Sequence, residues 1–309
     1  MRADFFQGLH EVLKKDDDVV LLTSDTGALV LDDVRKTIAS RCINVGIAEL
    51  NMISVAAGLA LCGKTVYVYA IIPFVTLRCF EHYRVDVCAT NLNVKAIGVG
   101  AGLDYCTLGP THHAHEDIAV MRTLPGLTIL SPSDEVTGKL FAKLSYDIPG
   151  PVYVRLERYG QPLVYPNAKE EDFKKGLNVL RKGNGSAVII ATGKMVVTAL
   201  KAAETLKKQH SIDVSVVDLY RIKPLNTELM IDVINQSKEI FTLEEHSIIG
   251  GVGSIISDLL VENRISKPLR KIGLPDDYCR RYGTRDYLHG LIGIDAENVT
   301  KIVKNELGK

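Results

Sequence analysis

A chain of 309 residues exceeds the roughly 100–200 usual for one domain, so two domains with separate cores are expected. With 46% hydrophobic and 24% charged residues the composition is globular, and 37 basic against 37 acidic side chains leave no bulk field to attract nucleic acid or a membrane surface. No apolar run approaches the ~18 residues of a membrane-spanning helix, "MRADFFQGLHEVLKKDDD" lacks the apolar core of a secretory signal, and the cysteines form no C-x-x-C pair, so a cytoplasmic protein is expected.

Along the chain, short β-branched runs alternate with helical patterns: "VVLLT" (19–23), "TVYVYAII" (65–72), "VKAIGVG" (94–100), "LTILS" (127–131) and "VYVRL" (152–156). That alternation predicts an α/β fold, a doubly wound and mostly parallel sheet with helices on both faces. Pro166, Gly176, Gly183 and Gly185 then interrupt it among charges. This divides the chain into a first domain at 1–165, a linker at 166–182 and a smaller α/β domain at 183–309. In the second domain "AVIIATG" (187–193), "IDVSVVDL" (212–219) and "EIFTLEE" (239–245) predict strands, and 196–209 and 253–262 predict helices.

Two nucleotide-binding motifs fail on inspection. "GGVGSII" lacks the third glycine of a dinucleotide fingerprint, and "ATGKM" has Met195 where a phosphate loop needs Ser or Thr. "GPTHHAHED" (109–117) leaves three readings open. Its histidines and acids could bind a metal, Thr111 could cap a helix beside solvated histidines, or the stretch could be a polar loop at a strand's carboxyl end where a histidine can move protons. Asp25, just after the first strand, reads first as a turn residue, though it stands at the carboxyl edge of the sheet.

Glu49 is the strongest anomaly. It heads "LNMISVAAGLALC", which is apolar nearly all round and predicts a buried helix. An acid in a first turn gains ~0.3–1 kcal/mol from the helix dipole. An unpaired buried carboxylate costs several kcal/mol, so the larger effect demands a partner. Only Arg41 is basic nearby in sequence, which points to a ligand or another chain.

These stretches carry a specific resemblance. "NVGIAELNMISVAAGLAL" and "GPTHHAHEDIAVMRTLPGLTILSPSD" resemble the pyrimidine-binding domain of transketolases, and "LEEHSIIGGVGSIISDLL" (243–260) is similar to their C-terminal domain. No G-D-G occurs in the chain. The resemblance is therefore to the C-terminal subunit of a split transketolase, with Mg²⁺ and the diphosphate of thiamine diphosphate held by an N-terminal partner subunit in an α2β2 assembly.

The resemblance implies a two-carbon transfer between sugar phosphates, with Glu49 hydrogen-bonded to N1′ of the cofactor's aminopyrimidine and Phe74 packed on that ring. It further implies Asp25 near the cofactor, His112 facing the substrate, and Arg158 and Arg2 on the sugar phosphate. Two positions depart from the family: Leu108 replaces an Asp that reads a donor hydroxyl, and Gly100 aligns with a phosphate-side His. An altered sugar specificity is expected. The β subunit of a 2-oxo acid dehydrogenase shares the layout, and a non-catalytic assembly or regulatory subunit would share the fold. The "HAHEDIAVMRTLPGLTILSPSD" stretch favours transketolase over the first, and retention of Glu49 argues against the second.

Overall fold

The computed structural model describes residues 1–26 and 31–308. In chain order its strands are β1 Val19–Thr23, β2 Cys42–Asn44, β3 Thr65–Ile71, β4 Val94–Val99, β5 Thr128–Leu130, β6 Val152–Leu156, β7 Asn178–Arg181, β8 Ala187–Ala191, β9 Ser215–Asp218, β10 Arg221–Lys223, β11 Glu239–Ser247 and β12 Leu269–Leu274. They form two sheets, β10-β5-β6-β4-β3-β1-β2 and β12-β11-β8-β9-β7. Pairing is parallel except where β10 meets β5 and β7 meets β9.

The central strands are buried on both faces, which explains their continuous apolar runs. Side chains alternate by the strand period of two. Val20, Leu22, Val66 and Val68 meet Met52, Ile53 and Ala56 of helix Glu49–Leu61. Leu21, Tyr67 and Tyr69 face the other way, onto Phe5, Phe6 and Leu9 of helix Arg2–Lys15 and Phe141 of helix Glu135–Asp147. In the second sheet, Ile189 and Phe241 share a core with Ala199 and Leu206 of helix Met195–His210 and Val299 of helix Ala296–Glu306.

Two short strands redraw the expected organisation. β7 lies inside the interval 166–182 expected to be a linker, yet pairs with β9 as an edge of the second sheet. β10, from the second half of the chain, adds an antiparallel edge to the first sheet, with Arg221 opposite Leu130 and Lys223 opposite Ile129. Lys223 donates to the carbonyls of Arg122 and Leu124. Both strands are three or four residues long and carry basic side chains, so no apolar alternation announces them.

A buried ionic cluster joins the two halves. The Arg285 guanidinium meets Glu245 and Glu157 at 2.5 Å and Asp104 at 3.3 Å, and it donates to the Ala101 carbonyl at 3.0 Å. Glu245 also accepts the Leu103 N–H at 2.8 Å. Residues 101–104 are thus tied to the second unit. Among the described residues no helix is long and apolar enough to cross a membrane.

Candidate active site

The connections that leave the carboxyl ends of β1, β2, β3, β4 and β6 carry, in turn, Asp25, Glu49, Phe74, the 100–112 segment and Arg158. These strands are parallel neighbours, so all five connections open on one sheet edge, where ligands bind in open α/β sheets.

Glu49 is the first residue of its helix and only 4% exposed. Contrary to expectation, its partner lies within the chain. Nη1 of Arg78, 29 residues further on, donates to Glu49 Oε2 at 2.8 Å. Arg41 is spent elsewhere, donating to the carbonyls of Leu13, Asp16 and Val19 at 2.8–3.0 Å. Glu49 Oε1 accepts no hydrogen bond from the described residues. The Arg78 guanidinium also lies 4.3 Å from the centre of the Phe74 ring, a cation–π distance.

The helix itself is not wholly buried, contrary to what its composition predicts. Met52, Ile53, Ala56 and Ala57 face the sheet, whereas Leu50, Val55 and Leu61 are exposed, as is Ile47 just ahead of them. An apolar periphery gives a helix two faces to cover, and the sheet covers one.

From Phe74 a row of rings continues. His112 meets Phe74 edge-on at 5.1 Å between centroids and Tyr105 at 5.6 Å. The Arg158 guanidinium then lies 4.3 Å from the Tyr105 ring and 5.0 Å from Tyr159. Glu49, Phe74, His112 and Arg158 therefore form one array. Burial pushes the His112 imidazole below its ordinary range, leaving it neutral near pH 7 and able to accept a proton. Thr111 Oγ1 sits 2.9 Å from His112 Nδ1 and does not cap helix Asp117–Met121.

Arg2 joins the array from the first helix, donating to the Tyr69 hydroxyl at 3.4 Å. Both Tyr69 and Tyr105 feel Arg2 and Arg158; burial still pushes the Tyr105 phenol up to about 12. Among the described residues neither arginine has a carboxylate within 4.0 Å. Two buried or half-buried guanidinium groups without an acid partner suit an anion. Arg158 is fixed through its backbone, whose N–H donates to Asp104 Oδ2 at 2.5 Å.

Asp25 stands apart. It is exposed, adopts φ 58°, and exchanges hydrogen bonds of 3.0 Å with the Asn44 side chain. His113 and His115 are buried rather than solvated, stacked 5.7 Å apart, and burial lowers both, His115 to about 4. Asp117 is engaged by Arg155 at 2.8 Å. Among the described residues no three His, Cys, Asp or Glu side chains are placed to share a metal ion. In the second unit, Glu244 accepts the Val252 and Gly253 N–H groups at 2.6 and 2.8 Å, so "GGVGS" caps a helix onto a carboxylate instead of a phosphate. Sequence reasoning missed Arg78, Tyr69 and Tyr105. Only Arg78 leaves a signal, four residues after Phe74 in an otherwise apolar stretch.

Two family models match the chain: the transketolase pyrimidine-binding domain over residues 1–161 and the transketolase C-terminal domain over residues 176–299. The chain is 36% identical over 301 residues to a subunit of the apulose-4-phosphate transketolase of Phocaeicola vulgatus, covering 97% of this chain and 95% of that one. It is 35% identical over 311 residues to a putative transketolase C-terminal section of Methanocaldococcus jannaschii, covering 100% and 96%. A solved structure described as a split gene transketolase, inactive beta4 tetramer, superposes with a TM-score of 0.87 at 33% identity, covering 99% and 97%.

Proposed function

The chain belongs to the transketolase family as the C-terminal subunit of a split enzyme, and on that premise we propose that it transfers a two-carbon ketol unit from a ketose phosphate to an aldose. The reading assigns it thiamine diphosphate, shared with an N-terminal subunit that holds the diphosphate and Mg²⁺, because the chain has no G-D-G. The observation that carries it is the Glu49–Arg78–Phe74 group. A buried carboxylate with one unengaged oxygen and an aromatic ring are joined by a single guanidinium, and a carboxylate plus a ring face is what an aminopyrimidine requires.

When bound, thiamine diphosphate supplies the electron sink for breaking the C2–C3 bond of a ketose. Glu49 is assigned the hydrogen bond to the pyrimidine N1′, where it shares a proton. Phe74 packs on that ring. His112, neutral near pH 7, moves a proton at a sugar hydroxyl. Arg158 and Arg2 hold the phosphate, and exposed Asp25 is assigned a place near the cofactor at the end of β1. Gly100 and Leu108 remove two groups that the family directs at the sugar, which supports an unusual substrate; the Phocaeicola vulgatus relative is named for apulose 4-phosphate.

The exposed Ile47, Leu50, Val55 and Leu61 are assigned to subunit contact in a cytoplasmic α2β2 assembly. The solved relative's description as an inactive β4 tetramer supports a subunit that self-associates yet needs another chain for activity. The pyrimidine-binding domain is assigned to 1–165 and the C-terminal domain to 183–309, with β7 added from the segment between them.

Co-purification with the G-D-G subunit tests the reading. Two-carbon transfer between sugars is expected, falling at least about 10²-fold in Glu49→Gln while the assembled mass is unchanged. Decarboxylation of a 2-oxo acid coupled to a lipoyl acceptor would overturn it in favour of the dehydrogenase β subunit.

A further inference from the structure

Position 100 has no side chain, and the space beside it is filled. Gly100 adopts φ +94°, and a Cβ built there would run into Cδ2 and Cε2 of Tyr105. A side chain at 100 and the Tyr105 ring therefore exclude each other. Tyr105 is only 6% exposed, so its neighbours leave the ring little free space. One residue before it, Asp104 is locked by Arg285 and by the Arg158 N–H.

Two groups of the candidate site rest on this one ring. His112 lies 5.6 Å from its centre and the Arg158 guanidinium 4.3 Å from it. On the sugar-phosphate reading the imidazole serves a hydroxyl near the reacting carbon and the guanidinium the terminal phosphate. The ring between them fixes how far apart those two functions sit. Its phenol end lies near Arg2 and Tyr69, adding a neutral hydrogen-bonding group to a cationic corner.

We infer that Tyr105 is a specificity-determining residue of this site: seated in the room that Gly100 leaves, its ring sets the span between His112 and Arg158 and hence the length of phosphorylated sugar that reaches both. The inference rests on the sugar-phosphate reading and adds the residue that selects among such sugars. Smaller side chains at 105 release the Arg158 guanidinium from its stacking plane while the Asp104 hydrogen bond keeps its backbone in place. Longer or shorter sugars then gain or lose relative to the native one.

The test uses the assembled pair of subunits. For Tyr105→Leu, the ratio of kcat/KM between five- and seven-carbon ketose phosphates should change about tenfold, mainly through KM, whereas Tyr105→Phe, which keeps the ring, should hold it within about twofold. Gly100→Ala, whose Cβ would collide with the ring at a backbone φ of +94° that favours glycine, should shift the ratio as well by forcing the ring out of its seat. Calorimetric titration with ribose 5-phosphate and erythrose 4-phosphate gives a second ratio that needs no turnover, and it should move about tenfold in Tyr105→Leu. If the wild-type pair binds these sugars but transfers no two-carbon unit, the transfer reading fails, and the binding ratio still decides Tyr105. Tyr105→Leu and Gly100→Ala proteins with wild-type melting temperatures and unchanged ratios would overturn the inference.

Discussion

Arg78 and Glu49 share a hydrogen bond of 2.8 Å, although their side chains differ sharply in exposure: 45% for the guanidinium and 5% for the carboxylate. The acid is held inside and its counter-charge reaches out to solvent. Because the same guanidinium lies 4.3 Å from Phe74, it also sets the spacing of the two groups assigned to the pyrimidine.

Removing that cation should therefore cost stability before any catalysis is considered. Arg78→Ala leaves a buried carboxylate unpaired, a penalty of about 3–5 kcal/mol for a fully buried pair and about 1–2 kcal/mol here, because Arg78 is nearly half exposed. Glu49→Gln, which keeps an acceptor, should cost less. Urea denaturation of the isolated subunit measures both, and equal stability of Arg78→Ala and wild type would refute the pairing's role.

Asp218 gives a pH signature. It ends β9 wholly buried, and accepts from Ser133 Oγ at 2.6 Å and the Tyr165 hydroxyl at 2.8 Å. Burial, helped by Asp134, pushes its carboxyl from the ordinary 3.8 up to about 7, against the two hydrogen bonds. The folded chain thus holds a proton that the unfolded chain releases between about pH 4 and 7. A group with its folded value raised stabilises fully below the unfolded value and loses that contribution as pH rises through the folded one. Wild type should lose roughly 2–3 kcal/mol relative to Asp218→Asn between pH 5 and pH 8. A stability difference that is flat across this range would contradict the assignment.

Much of this fold could be read in the sequence because parallel strands buried on both faces must be apolar throughout. Runs such as "VVLLT" and "VYVRL" match β1 and β6 residue for residue. β2, β7 and β10 could not be read, because three or four residues with exposed or charged side chains show no period. The site was legible where chemistry is costly, as with a lone acid on an apolar helix. Its neighbours were hidden because pairing across the sheet edge, such as Arg78 with Glu49 or Arg285 with Glu245, is set by tertiary geometry. Loop burial left no trace either, so nothing in "GPTHHAHED" told buried His113 and His115 from solvated ones.

Arg2 and Arg158, far apart in sequence, converge on Tyr69 and Tyr105, and among the described residues no carboxylate lies within 4.0 Å of either guanidinium. If they clasp one dianion, Arg158→Ala should raise KM for a phosphorylated sugar about tenfold or more with kcat little changed, because the contact is made in ground and transition states alike. Arg2→Ala should act in the same direction. The double variant should lose less than the product of the single losses, since each arginine contributes less once the other is gone. Arg158→Lys should recover only part of the loss, because an ammonium cannot form the guanidinium fork. Steady-state kinetics against added salt checks the set. A kcat effect without a KM effect would place Arg158 on the reacting atoms instead.

The apolar face of helix Glu49–Leu61 makes the sharpest demand on a partner. Ile47 and Leu61 are 81% and 72% exposed, and Leu50 and Val55 lie between them in sequence on the side turned from the sheet. Covering an aliphatic side chain contributes about 1.5–3 kcal/mol at most, and forcing a charge into the same contact reverses that gain and adds a desolvation cost. The lone chain should tolerate such a charge, since these positions already face water. Ile47→Asp and Leu61→Glu should therefore leave the unfolding free energy of the isolated subunit within about 0.5 kcal/mol of wild type. They should nevertheless block assembly, seen as a loss of mass in light scattering of the mixed subunits, and abolish turnover with it. Full assembly of the charged variants would mean that this face stays in water and that Glu49, beneath it, is reached from another side.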